Sequence, residues 1–192
     1  IHMFAFKKNY FLIIESIKDI NLRKIKIYNK FFIIYRNQGK KENIDYLIKF
    51  RKTCKLKRIK FYVANDLQLA TSIKSDGIYL SSFNKTFKSL GLEKHNFNVI
   101  GSAHNVREIE LKKRQGCKFI LFSKLFKVDY DKKAPVLGAV KFNKYLNYIS
   151  NKLVPLGGIK IDNLNYLKNI NCSAFALMSE IKKKPTITSR LF

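Results

Sequence analysis

Apolar residues recur along this chain in two alternating patterns. Short runs rich in β-branched and aromatic residues stand at 10–15, 31–36, 60–65, 77–80, 98–104, 118–125, 153–156 and 173–178. Runs this short and this apolar predict strands covered on both faces. Between them lie polar stretches with helical spacing. Phe142, Tyr145, Leu146 and Ile149 fall at i, i+3, i+4 and i+7, which is one face of a helix. A second helix has its own start and stop: Asn105 can cap it, Glu108 stands three residues on as in a capping box, and Gly116 ends it. Asp66 opens a shorter helix that carries Leu69, Ala70 and Ile73, and Ile44, Leu47 and Ile48 mark a further apolar face.

Eight strands alternating with helices predict a parallel sheet with crossover helices. For eight strands the natural arrangement is closure into a (β/α)8 TIM barrel, here an α/β fold in a single compact domain over residues 3–192. Ile1 and His2 precede a Met and read as a cloning or reading-frame scar. An open doubly wound sheet is the alternative, but the chain has neither G-x-G-x-x-G nor G-x-x-x-x-G-K-[ST], so its two commonest nucleotide-binding versions are excluded. The chain is short for a barrel. Only residues 16–30 separate the first two strands, and Ile181 is followed by Lys182-Lys183-Lys184-Pro185 and a brief tail. The first and last helical layers are therefore expected to be shortened.

Charge is the unusual feature of the composition. Thirty-nine Lys and Arg against 13 Asp and Glu give a formal charge of +26. Such a field attracts nucleic acid, anionic membranes or phosphorylated substrates. The basic residues are dispersed, with no basic tail or block, and Lys, Ile, Asn and Phe are all abundant. That reads as compositional drift together with a phosphate-binding site, and a nucleic-acid partner is not expected. Cys54, Cys117 and Cys172 form no C-x-x-C pair, so reduced thiols are the simplest account. No apolar run is long enough to cross a membrane and no leader pattern precedes the first strand, so a cytoplasmic protein is expected.

In a barrel the residues just after each strand line the active-site mouth. Those positions hold Arg36, Asn65, Asp66, Ser81, Asn84, Ser102, His104, Ser123, Lys124, Gly157, Gly158 and Ser179, a set rich in cations and small residues. Gly157-Gly158 lets backbone N–H groups approach a phosphate, or is an ordinary tight turn. Ser179 stands where a short terminal helix would supply the next phosphate contact. Asn65 and Asp66 offer an amide beside a hard oxygen ligand for Mg²⁺, while Asp66 also suits plain helix capping. His104 suits acid, base or phosphate contact, or a structural hydrogen bond. Arg36 suits bidentate binding of a phosphate or diphosphate, or an ion pair with a nearby carboxylate.

Taken in order, these segments resemble the thiamine phosphate synthase/TenI family over residues 11–181. Ile34-Tyr35-Arg36 stands where the family has Q-L-R, and Ala64-Asn65-Asp66 where it has an N-D pair. Ser75-Asp76-Gly77-Ile78-Tyr79-Leu80 is similar to A-D-G-V-H-L, and Ile100-Gly101-Ser102-Ala103-His104-Asn105 to I-G-x-S-x-H. Leu137-Gly138, Gly157-Gly158-Ile159 with Asn163, and Met178-Ser179-Glu180-Ile181 complete the set. The resemblance implies an enzyme of thiamine biosynthesis. It would be a transferase that couples hydroxymethylpyrimidine diphosphate with thiazole phosphate to give thiamine phosphate and pyrophosphate, with Mg²⁺ as cofactor. It further implies that Arg36, Asn65 and Asp66 handle the diphosphate and Mg²⁺, that Ser102 lies near the leaving group, and that Gly157, Gly158 and Ser179 hold the thiazole phosphate.

The departures fall at the diphosphate end. Gln38 replaces a family Lys, with Lys40 nearby as a substitute phosphate contact, and Asn84 stands at the second Mg²⁺ carboxylate, a weakened metal ligand. Val128-Asp129-Tyr130-Asp131 replaces a Thr-x-Thr-Lys loop. The better-kept thiazole-phosphate end also suits a TenI-like thiazole tautomerase with His104 as acid/base, or a thiazole-phosphate binder without synthase activity. A basic barrel that binds nucleic acid or acts as a scaffold is the reading from another class. A barrel with a thin outer layer leaves apolar surface uncovered, which predicts a homodimer; a sedimentation mass of one chain at micromolar concentration would exclude it.

Overall fold

The computed structural model describes residues 9–25, 29–37, 39, 42–129, 131, 133, 135–149, 152–178 and 181. Eight strands are present: β1 (Asn9–Ile14), β2 (Phe31–Tyr35), β3 (Lys60–Ala64), β4 (Gly77–Leu80), β5 (Asn98–Ala103), β6 (Phe119–Phe122), β7 (Leu153–Pro155) and β8 (Ala174–Leu177). Every neighbouring pair is parallel, in the order β7-β6-β5-β4-β3-β2-β1-β8. Strands β7 and β8 lie against each other, so the sheet is nearly closed into a barrel. The expected eight-stranded TIM-barrel architecture is what the chain adopts.

Most of the apolar runs extend one to three residues beyond the strands at their carboxyl ends. Glu15, Arg36, Asn65, His104 and Met178 stand just beyond the point where the ladder stops. The sequence pattern reports side-chain environment, whereas the strand is defined by paired backbone.

Alternation along each strand builds two cores. Leu12, Ile33, Phe61, Ile78, Val99 and Ile120 face outward under the helices. Phe11, Ile13, Ile34, Tyr62, Tyr79, Ile100 and Leu121 face inward and fill the barrel. At the amino end of the barrel the filling is aromatic. Phe32 stacks on Phe11 at 4.6 Å and on Tyr62 at 6.1 Å, and Phe119 meets Phe11 edge-on at 5.3 Å. Gly77 is required by this packing, because a Cβ there would lie 1.8 Å from the Asn98 carbonyl oxygen and 2.9 Å from the Tyr62 ring.

The outer layer comprises α1 (Ile44–Leu56), α2 (Leu67–Ser72), α3 (Val106–Arg114) and α4 (Gly138–Ile149) with shorter 3-10 segments. The periodic residues of α4 turn inward as expected: Phe142, Leu146 and Ile149 are buried. Between β1 and β2 the helix is replaced by two single 3-10 turns, Ile17–Asp19 and Leu22–Lys24. Ile20, Leu22 and Ile25 still bury themselves there, so the shortened first layer covers its part of the barrel. The crossover into β8 is a 3-10 helix, Ile161–Asn169, which the α-helical pattern did not foresee. Leu164, Leu167 and Ile170 are buried at strict three-residue spacing, the repeat of a 3-10 turn. At the carboxyl end Ile181 is fully buried, and the tail beyond it lies outside the described residues.

Burial pushes the Cys54 and Cys117 thiols up to about 12, which keeps both neutral at physiological pH. Replacing Gly77 with Ala is expected to lower unfolding stability by about 3 kcal/mol, because the obstruction is backbone rather than a flexible side chain. Urea denaturation of the G77A variant checks this.

Candidate active site

The mouth lies at the carboxyl ends of the strands, where short turns carry the polar residues. Arg36 directly follows β2. Its Nη2 donates to Met178 Sδ at 3.4 Å and lies 3.8 Å from Glu15 Oε1. Its Nε is buried without a hydrogen-bond partner among the described residues. A buried guanidinium N–H in that condition is an open donor for an anion.

Arg36 borders a cleft of about 110 Å³ together with Ser123, Lys124, Gly157, Gly158 and Lys160. Gly157 and Gly158 both adopt left-handed backbone, φ +93° and +69°. A Cβ at Gly158 would stand 2.4 Å from the Lys127 carbonyl oxygen, so this glycine also lets the loop after β6 close onto the loop after β7. Leu125 N–H donates to the Leu156 carbonyl at 2.9 Å and Phe126 N–H to the Gly157 carbonyl at 3.0 Å, fastening the two loops. Asn163 steadies the turn from below, donating to the Gly158 carbonyl at 2.7 Å and accepting from Lys160 N–H at 2.8 Å.

Two carboxylates from the altered loop reach the cations of this cleft. Lys124 pairs with Asp131 at 2.8 Å and Lys160 with Asp129 at 2.5 Å. The chain thus supplies its own anions to a phosphate-sized cleft. Lys160 was not singled out by the sequence; a cation two residues after the Gly-Gly turn is the signal that could have found it.

A second cluster forms where β3 and β4 end. Asn65, in left-handed backbone at φ 59°, accepts through Oδ1 from Ser81 N–H at 2.9 Å and from Asn84 Nδ2 at 3.1 Å. Its own Nδ2 donates to Ser81 Oγ at 3.1 Å. Asn84 Oδ1 accepts from Thr86 N–H at 3.0 Å. Most of the hydrogen-bonding capacity of both amides is therefore used in tying the two loops together. Asp66 caps α2, its Oδ1 accepting from Leu69 N–H at 2.8 Å. Asp66 Oδ2 stands beside it without a partner among the described residues. No group of three or more His, Cys, Asp and Glu that could hold a metal ion occurs among the described residues.

The structure exposes a support for this cluster that the sequence pattern hid. Lys112 of α3 is fully buried, and its ammonium donates to the Asn84 carbonyl at 2.7 Å and to Gln115 Oε1 at 3.0 Å. Gln115 Nε2 bonds the Asn84 and Thr86 carbonyls at 3.1 and 2.6 Å. Burial lowers the Lys112 pKa, against an opposing pull from Cys117 and the Glu108 carboxylate. In a lysine-rich helix nothing marks this one as buried.

Ser102 and His104 follow the inward face of β5. Ser102 is buried beside Tyr79, whose phenol burial holds above its ordinary pKa while the Ser102 side chain and the Arg36 cation pull it the other way. His104 Nδ1 lies 2.9 Å from Ser123 Oγ on the cleft wall, and its main-chain N–H donates to Glu108 Oε2 at 2.7 Å. The expected cap of α3 is present, with Asn105 Oδ1 accepting from Glu108 N–H at 3.0 Å. The capping-box return bond goes to His104 instead of Asn105, so α3 positions the histidine directly.

The mouth therefore brings Arg36, Gly157 and Gly158 into one cleft, places Ser102 and His104 beside it, and sets Asn65, Asp66 and Asn84 in a separate cluster. Lys40 and Ser179 lie outside the described residues. A family model described as thiamine monophosphate synthase matches residues 22–181. The chain belongs to that family. A thiamine-phosphate synthase of Prochlorococcus marinus subsp. pastoris is 27% identical over 168 residues, covering 87% of this chain and 47% of that protein. One from Fusobacterium nucleatum is 25% identical over 161 residues, covering 81% and 78%. The chain thus spans about half the length of the Prochlorococcus relative. Among solved structures, a thiamine phosphate pyrophosphorylase from Pyrococcus furiosus superposes with a TM-score of 0.69 at 16% identity, over 97% of this chain and 94% of that one. A 4-hydroxy-2-oxoglutarate aldolase from TTHB1 superposes nearly as well, with a TM-score of 0.65 at 11% identity over 97% and 96%. The barrel alone does not specify the chemistry. Among the described residues no helix is long and apolar enough to cross a membrane.

If Asp129 and Asp131 hold the places of an anion, replacing both with Asn removes these two ion pairs from Lys160 and Lys124. Inorganic phosphate should then bind several-fold more tightly, as read by isothermal titration calorimetry.

Proposed function

We propose that this barrel is a thiamine phosphate synthase-like transferase that joins hydroxymethylpyrimidine diphosphate to thiazole phosphate. The observation that carries this reading is the shared cleft: an arginine with an unsatisfied buried N–H faces a left-handed Gly-Gly turn between two lysines. In the reaction the bond between the pyrimidine methylene carbon and the diphosphate oxygen breaks, with its electron pair leaving on pyrophosphate. The thiazole nitrogen then donates its lone pair to that carbon and thiamine phosphate forms. Arg36 receives charge on the departing diphosphate, with Ser102 beside it. The turn at Gly157 and Gly158, with Lys160, holds the thiazole phosphate and fixes its nitrogen in line. Ser179 and Lys40 are further phosphate contacts in this reading. The buried ring of Tyr79 and the aliphatic barrel filling exclude water from the carbocation.

Of the residues expected to hold Mg²⁺, Asp66 fits through its second carboxylate oxygen. Asn84 fits poorly, because its amide oxygen already accepts from Thr86. One carboxylate is enough for an ion held mainly by substrate phosphates. When bound, Mg²⁺ would neutralise the diphosphate; Asn65 and Asn84 keep the adjoining loops in place.

The pair of His104 and Ser123, at 2.9 Å on the cleft wall, favours a second reading, a TenI-like thiazole tautomerase in which His104 moves the proton. The two readings separate in a coupling assay with both substrates and Mg²⁺. The synthase reading expects Mg²⁺-dependent thiamine phosphate. Arg36→Ala and Asp66→Asn should each reduce it about 100-fold or more. Asn is as good a helix cap as Asp, so D66N should melt near the parent temperature. Absence of product, with thiazole phosphate still raising the melting temperature, selects the tautomerase or binder.

A further inference from the structure

We propose that the amino-terminal face of the barrel, opposite the mouth, binds single-stranded nucleic acid in a basic groove between β2, α1 and α2. The inference is independent of the reaction at the mouth. Dispersion of the basic residues along the sequence argued against such a partner, but the fold gathers them. The turns that feed the strands are residues 29–30, 57–59, 73–76, 92–97, 115–118, 152 and 170–173. They carry Lys30, Arg58, Lys74, Lys94, Lys118 and Lys152, while Asp76 and Glu93 are the only described carboxylates there.

Two hollows of about 410 and 350 Å³ on this face adjoin at Arg51 and Lys55, which line both. Asp76 is fully engaged: it accepts from Phe61 N–H at 2.9 Å, from Lys60 at 3.3 Å and pairs with Arg51 at 3.2 Å. Arg51 is further fixed by donating to the Lys74 carbonyl at 3.0 Å. The side-chain cations of Lys52, Lys55, Arg58 and Lys74 have no partner among the described residues. Arg58 and Lys74 end α1 and α2 in left-handed backbone, both at φ 53°, where glycine is favoured. Two cations thus occupy strained helix ends and border adjoining parts of one groove.

At the inner end of the groove lies the half-buried ring of Phe32, held from behind by its stacking on Phe11 and Tyr62. A cluster of unpaired cations with a fixed aromatic ring among them suits a phosphate backbone with a base to stack, the arrangement used for single strands. A concave groove suits a strand better than a flat lipid surface.

The test is fluorescence anisotropy of the full chain with a labelled single-stranded RNA dodecamer of mixed sequence, over a series of salt concentrations. The groove variant combines Lys55→Gln with Arg58→Gly, and glycine at 58 matches the local backbone, so folding is kept. The control combines Lys141→Gln with Lys144→Gln on the exposed face of α4, an equal loss of charge elsewhere. Affinity should fall about 10-fold in the groove variant, and its log–log salt slope should become shallower by about 1.4, with the control unchanged. Equal losses in both variants, an unaffected groove variant, or no RNA binding at all would overturn the proposal. So would tighter binding to the duplex of the same sequence, or binding to phosphatidylserine vesicles with none to RNA.

Discussion

The parallel ladder is the constraint on which the rest of this structure depends. Once β1 to β8 all run the same way, every turn after a strand opens at one end and every turn before a strand opens at the other. Helices that return between them start at the mouth and finish at the opposite face. Helix starts favour carboxylates and side-chain acceptors, and helix ends favour cations. Asn43, Asp66 and Asn105 cap α1, α2 and α3 at the mouth, while Lys55, Lys112 and Lys113 stand in the last turns of α1 and α3. One topological fact thereby sorts a strongly basic composition into a mixed-charge mouth and a predominantly positive underside.

At the mouth the chemistry is set by loops that hold one another. The loop after β6 can approach the loop after β7 only because Gly158 has no side chain, and Asn163 fixes that turn from beneath. The Asn65–Ser81–Asn84 bonds stitch β3 to β4 in the same way, with Lys112 and Gln115 anchoring the second loop from α3. These are costly arrangements to assemble, with a buried ammonium and left-handed non-glycine residues among them. They fix the polar groups around the cleft.

The cations bordering the cleft stand beside carboxylates of the same chain. Arg36 faces Glu15, and Lys124 and Lys160 face carboxylates of the same chain. Such part-exposed pairs are weak, and a stronger anion can replace the carboxylates. Under the proposed function, a phosphate entering here meets cations that are already positioned. That also explains how a loop carrying Asp129 and Asp131 is compatible with a site for anions.

The sequence by itself determined the eight strands, the capped helices and the residues at the mouth, because burial and capping leave local patterns with fixed periods. The double glycine, the Asn105 cap and the inward face of α4 were all legible in this way. Only the tertiary structure decided what those residues touch. That Glu108 reaches His104 is set by the loop geometry before α3, and that Lys112 is buried beneath Asn84 is a contact between segments far apart. The three-residue spacing of Leu164, Leu167 and Ile170 stands in the sequence, but two turns of such spacing do not separate a 3-10 helix from a frayed α-helix. The underside groove is the clearest case. Its cations come from separate turns, and parallel closure of the barrel brings them to one face.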